Sequence, residues 1–107
     1  MSDEIKALQQ QDRDLNRARI NRETAKIPWH ELQRFFAQGK VMQVDKSLDL
    51  VDVALAMQQD DLDQVRIWTK QNQIHPVSDE QARTWVESKS VLWTVVVKPW
   101  VFTQECN

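Results

Sequence analysis

His30-Glu31 opens the helical zinc-protease signature, in which two imidazoles four residues apart share one face. The second imidazole belongs at position 34, but Arg34 stands there, and a guanidinium cannot ligate zinc. His30 therefore reads as a solvated residue in the first turn of a helix. His75, before Pro76, and Cys106 have no chemical partner close in sequence. Serine-nucleophile motifs are absent, and Ser78 has a structural explanation given below. With Gly39 as the sole glycine, neither a P-loop nor a dinucleotide-binding turn can be built. No cofactor and no metal is implied by any motif.

Charge supplies two further candidates. Asp45, Asp49, Asp52, Asp60, Asp61 and Asp63 face a single Lys46, a local balance of −5. Hard oxygen ligands from Asp45, Asp49, Asp60 and Asp61 could hold Mg²⁺ or Ca²⁺ if the loops around 45–49 and 60–63 converged. Against this, an intervening helix of about eleven residues is about 16 Å long and sets the two loops at opposite ends. Aspartates also favour helix starts through capping and the helix dipole. Arg13, Arg17, Arg19, Arg22 and Lys26 could track phosphates. Acidic residues are interleaved, however, and residues 1–26 balance to only +1, the pattern of a solvated, ion-paired helix.

Five tryptophans in 107 residues exceed ordinary usage. Trp68 and Trp85 fall on apolar helix faces and Trp93 on an apolar strand, all three as core. Trp29 and Trp100 each follow a proline at the border of an element. There a tryptophan either completes the core or presents an aromatic anchor to a partner.

These residues need elements to position them. Residues 3–25 carry a thin helical stripe of Ile5, Leu8, Leu15, Ala18 and Ala25, a helix frayed over its first turns. Pro28 suits a helix start, Trp29, Leu32, Phe35 and Phe36 follow at helical spacing, and Gly39 stops the helix. Val41 to Asp45 reads as a strand. Leu48, Val51, Ala54 and Leu55 make a second amphipathic helix. Asp60 or Asp61 caps a third with Leu62, Val65 and Trp68, closed by Asn72. Ile74 forms a brief strand before Pro76. Ser78 and Gln81 form a capping box ahead of Ala82, Trp85 and Val86. The apolar run Val91 to Val97 reads as a strand covered on both faces. Lys98-Pro99 is a poor two-residue hairpin turn, so the spacing predicts one long strand bent at Pro99, with residues 100–104 on an edge. The expected core is Leu32, Phe36, Val41, Leu55, Val65, Trp68, Trp85, Trp93 and Val95.

At 107 residues, 41% apolar and 28% charged, the chain has an ordinary globular balance and the size of one domain. A net charge of −2 gathers neither nucleic acid nor acidic lipid. The acidic, polar N-terminus is unlike a secretory signal, and no uncharged run is longer than Ser90 to Val97, far too short to cross a membrane. A lone cysteine forms no internal disulfide and suits the cytoplasm.

The stretch from Asn21 through Glu23-Thr24-Ala25, Ile27-Pro28-Trp29, Glu31-Leu32-Gln33-Arg34-Phe35-Phe36-Ala37 to Gly39 resembles a known family. So do Leu48-Asp49-Leu50-Val51, Asp60-Asp61, Ser78-Asp79, and Trp93 through Val97 with Pro99-Trp100-Val101. The family is one of short bacterial proteins known as a domain of unknown function, number 2288 in its series. The resemblance covers residues 20 to 104. It implies a bacterial host and one small domain, with no activity, cofactor or catalytic residue to carry over.

The fold expected is α+β, a small mixed sheet of about three strands packed with about five helices. Residues 1–20 form a polar helical segment and 21–105 a single domain. The lack of a catalytic constellation leans away from an enzyme, although a site assembled from distant Asp, His and Arg residues would leave no local motif. The favoured reading is a non-catalytic interaction module that binds an unknown protein partner or forms a homodimer. Trp29, Trp100, Val101 and Phe102 are its candidate surface. The alternative is a small-ligand or divalent-metal protein using Asp45, Asp49, Asp60 and Asp61. The third is a nucleic-acid binder using the arginine-rich first helix.

Overall fold

A computed structural model describes residues 14–106. Helix α1 runs over 14–23 and crosses the boundary expected at residue 20. The fraying expected over the first turns, with Ile5, Leu8 and Arg13, lies outside the described residues. Next come β1 (Ala25–Pro28), α2 (Trp29–Ala37), β2 (Val41–Val44), α3 (Leu50–Gln58) and α4 (Leu62–Lys70). The chain continues with β3 (Ile74–Pro76), α5 (Asp79–Glu87), β4 (Val91–Val97) and β5 (Trp100–Glu105).

Side chains start α3, α4 and α5, α2 starts after Pro28 without a side-chain cap, and backbone geometry stops all four. Asp49 accepts from the Val51 N–H at 2.9 Å, Asp61 from Gln64 at 3.3 Å and Ser78 from Gln81 at 3.0 Å. Helices α2 to α5 each end on a residue with positive φ: Gly39, Asp60, Asn72 and Lys89. The next N–H in the chain then reaches back to the carbonyl of Phe35, Ala56, Trp68 or Trp85, at 2.9–3.0 Å. This is the Schellman turn, repeated four times, and it satisfies carbonyls that a helix end otherwise leaves open. Asp61 serves twice, closing α3 through its N–H and capping α4 through its carboxylate.

Among the described residues the fold is mixed α+β with five helices, as expected, but the sheet has five strands in the order β1-β4-β5-β2-β3. Three strands was an undercount. β1 was missed because it is only four residues long, none of them fully buried, and ends on Pro28. All pairings are antiparallel except β2 with β5, which is parallel.

The expected bent strand is corrected to a hairpin. Val97 pairs with Trp100 across Lys98-Pro99, whose peptide bond is cis. A cis proline at the second central position is a defined turn type, outside the primed turns on which the expectation rested. Residues 100–104 are consequently not an edge. They pair with β4 on one side and β2 on the other, and the edges are β1 and β3.

Alternation along the strands divides the core between two faces. Val95, Phe102, Val44 and Ile74 pack under α3 with Ile20 of α1 and, partly buried, Trp68 of α4. Val41, Leu92 and Val101 pack under α2 and α5 with Trp29, Leu32, Ala82 and Trp85. Leu32, Val41, Leu55, Trp85 and Val95 are buried as expected. Phe36, Val65 and Trp68 are only partly covered. Trp93 is 37% exposed: β4 is open at Val91, Trp93 and Val96 and is not covered on both faces. The Trp93 ring carries the Lys26 ammonium at 5.2 Å instead of a core neighbour.

Candidate functional site

Of the four residues expected to form one surface, the fold keeps one outside. Trp29, Val101 and Phe102 are each 2% exposed, whereas Trp100 is 36% exposed. Trp29 meets Trp85 with ring centroids 5.0 Å apart and Phe36 at 5.5 Å, edge to face. Val101 and Phe102 point to opposite faces of the central strand, so each enters a different half of the core.

Trp100 stands at the start of β5, on the same side of the sheet as Met42 and Phe102. It walls a hollow of about 190 Å³ together with Met42, Met57, Val65 and Thr69, with Phe102 as a further lining residue. A second hollow of about 260 Å³ shares Val65 and Thr69 and continues past Leu62, Arg66 and Lys70. The two form one apolar groove along α4. No residue of that helix is fully buried, and Leu62 is 55% exposed. Arg66 lies 3.9 Å from Asp63, while Lys70 and Lys98 have no ion-pair partner among the described residues. Methionine and tryptophan walls adapt to an apolar guest, and loose ammonium groups favour a guest with carboxylates.

Met42, Met57, Val65 and Thr69 were not foreseen as site residues. They come from three separate elements and meet only after the sheet forms, so no local spacing marks them.

The candidate acidic residues are not brought together. Asp45 holds a turn by accepting from the Ser47 N–H at 2.8 Å. Hydrogen bonding by Ser47, side chain first and then backbone, holds the Asp45 carboxyl below the usual aspartate value. Asp49 caps α3, Asp60 occupies the positive-φ position after it, and Asp61 caps α4. No group of three or more metal-ligating side chains gathers among the described residues.

Arg17 reaches from α1 to Asp52 and, at 3.1 Å, to Asp49. The Asp52 hydrogen bond raises the guanidinium's already high pKa further. That arginine ties α1 to α3. Arg19 and Arg22 are exposed. His30 is exposed on α2, the Nδ1 of half-buried His75 lies 3.0 Å from the Pro76 carbonyl oxygen, and the Cys106 thiol donates to the Val91 carbonyl at 3.2 Å. Among the described residues, no helix is long and apolar enough to cross a membrane.

No curated protein sequence is similar to the chain. The NMR solution structure of PA1075 from Pseudomonas aeruginosa is similar at 43% identity, covering 87% of this chain and 86% of that one, with a TM-score of 0.76. Ile-Pro-Trp at 27–29 and Pro-Trp-Val at 99–101, which carried the resemblance, form the junction of β1 with α2 and the turn into β5. The family model described as "Protein of unknown function (DUF2288)" matches residues 15–105, and the chain belongs to that family.

Proposed function

We propose that this chain is a cytoplasmic, non-catalytic interaction module whose docking surface is the groove between α4 and the start of β5. The single observation that carries this reading is Trp100, a large aromatic left 36% exposed at the wall of an apolar groove. The occupant that fits is a protein segment with one or two large apolar side chains flanked by carboxylates, because Lys70 lines the groove without an ion-pair partner among the described residues and Lys98 lies two residues before Trp100. A two-fold dimer across the same groove would bring this cationic margin against its own copy, which disfavours the homodimer. The exposed thiol of Cys106 supports a reducing compartment.

Selection from a random peptide display library tests the reading. Enriched peptides should share a bulky apolar residue beside Asp or Glu. They should lose about tenfold in affinity for Trp100→Ala, the effect of removing a moderate hot spot. Peptides that bind both forms equally, or no enrichment, would remove the groove as the docking surface. A concentration-dependent dimer mass abolished by Trp100→Ala would restore self-association.

A further inference from the structure

A separate hollow lies on the other side of the sheet, between the N-terminal half of α2 and the last turn of α5. Its volume is about 410 Å³, within the range of small-molecule sites. Trp29, Trp85 and Val86 supply apolar walls, while His30, Gln33 and Lys89 supply polar groups. No carboxylate lines it. The side chains of His30, Gln33 and Lys89 have no hydrogen-bond or ion-pair partner among the described residues. The backbone carrying Lys89 is fixed by the Schellman turn that ends α5.

One observation separates this hollow from an ordinary crease between helices. Trp29 is 2% exposed, and its Nε1–H is buried without a hydrogen-bond partner. An indole N–H only donates, and a buried donor left unmet is a cost to the fold. An acceptor entering from the cleft would remove that cost. Because the atom is closed to solvent even from the hollow, an acceptor reaches it only by entering the hollow and parting its lining.

We propose that this cleft binds a small carboxylate with an apolar body, of the size of an arylacetate. The body packs on Trp85 and Val86. The carboxylate accepts from the Trp29 Nε1–H and faces the Lys89 ammonium. Lys89 without any lining carboxylate disfavours amines, and the buried donor distinguishes an acid from a plain hydrocarbon.

The test is a titration of the ¹⁵N-labelled full chain with phenylacetate, phenylacetamide and phenethylamine, which share one body and differ in charge. The indole resonance of Trp29 is identified by its loss in Trp29→Phe. With phenylacetate it should move downfield and saturate, and Lys89→Gln should weaken that binding about tenfold. The amine should not bind, and Trp100→Ala should change nothing. A Trp29 resonance fixed at millimolar phenylacetate overturns the proposal, as expected if the face of Trp85 or Phe36 already meets the N–H. Equal responses to the three ligands overturn it too, leaving an apolar crease without anion recognition. Saturable binding that leaves Trp29 unmoved places the acid on the rim and also overturns it.

Discussion

Trp29 and Trp85 hold one half of the core together, Trp93 lies under a lysine on an open strand, and Trp100 walls a groove. Composition announced the tryptophans but could not sort them, because sorting depends on which strand face each helix covers. Trp85 was legible, since helical spacing from Ala82 puts it inward, and it is buried. Trp93 was not, because an apolar run does not reveal that β4 is covered unevenly. Trp85→Ala should cost about 3–5 kcal/mol, the usual range for a fully buried tryptophan. Trp93→Ala should cost about 1 kcal/mol, as typical of a partly exposed site. Denaturant titration of both variants checks the contrast, and equal losses would refute the division of β4 into open and covered positions.

Asp45 makes a pH-dependent contribution at the same scale. Its folded-state pKa lies below the unfolded value, so its stabilisation is complete above the ordinary aspartate range. That stabilisation is lost as pH falls through the lowered value. Asp45→Ala should therefore melt below wild type near neutral pH, with the gap closing in strong acid. Melting curves at both pH values test this, and a gap that widens on acidification would contradict it.

The helices were the most readable elements because their limits are local chemistry. Asp49, Asp61, Ser78 and Gly39 each sit where a cap is needed, and a cap is recognisable from a few neighbouring residues. β1 was not readable because a four-residue edge strand exists only through its pairing with distant β4, and the 98–99 turn because proline argues against the primed turns by which short hairpins are recognised. The four Schellman turns suggest a test at this scale. Only one of the four positive-φ positions is glycine, and Lys89 (φ 52) is the least suited of the others. Lys89→Gly should stabilise the domain by about 0.5–1 kcal/mol, by the ordinary preference for glycine at this helix-end position. Chemical denaturation measures it. A loss of stability would mean that the lysine side chain holds the turn.

Across the whole molecule, the sheet pairs elements far apart in the chain, which is why its strand count and the Trp100 groove were both hidden from local reading. Met42 meets Phe102 across a parallel ladder that no nearby pattern announces. Both neighbours of β5 precede it in the chain, and they do not pair with each other. Before β5 is in place, β1 can pair only with β4 and β2 only with β3. Val101 and Phe102 then enter separate halves of the core, so one short segment closes both. During synthesis β4 and β5, two residues apart, leave the ribosome together, so β1, β2 and β3 emerge unjoined and stay exposed to proteases until that last hairpin follows as the keystone. Nascent chains stalled with β5 still inside the exit tunnel should be digested readily, and chains released by a longer tether should resist.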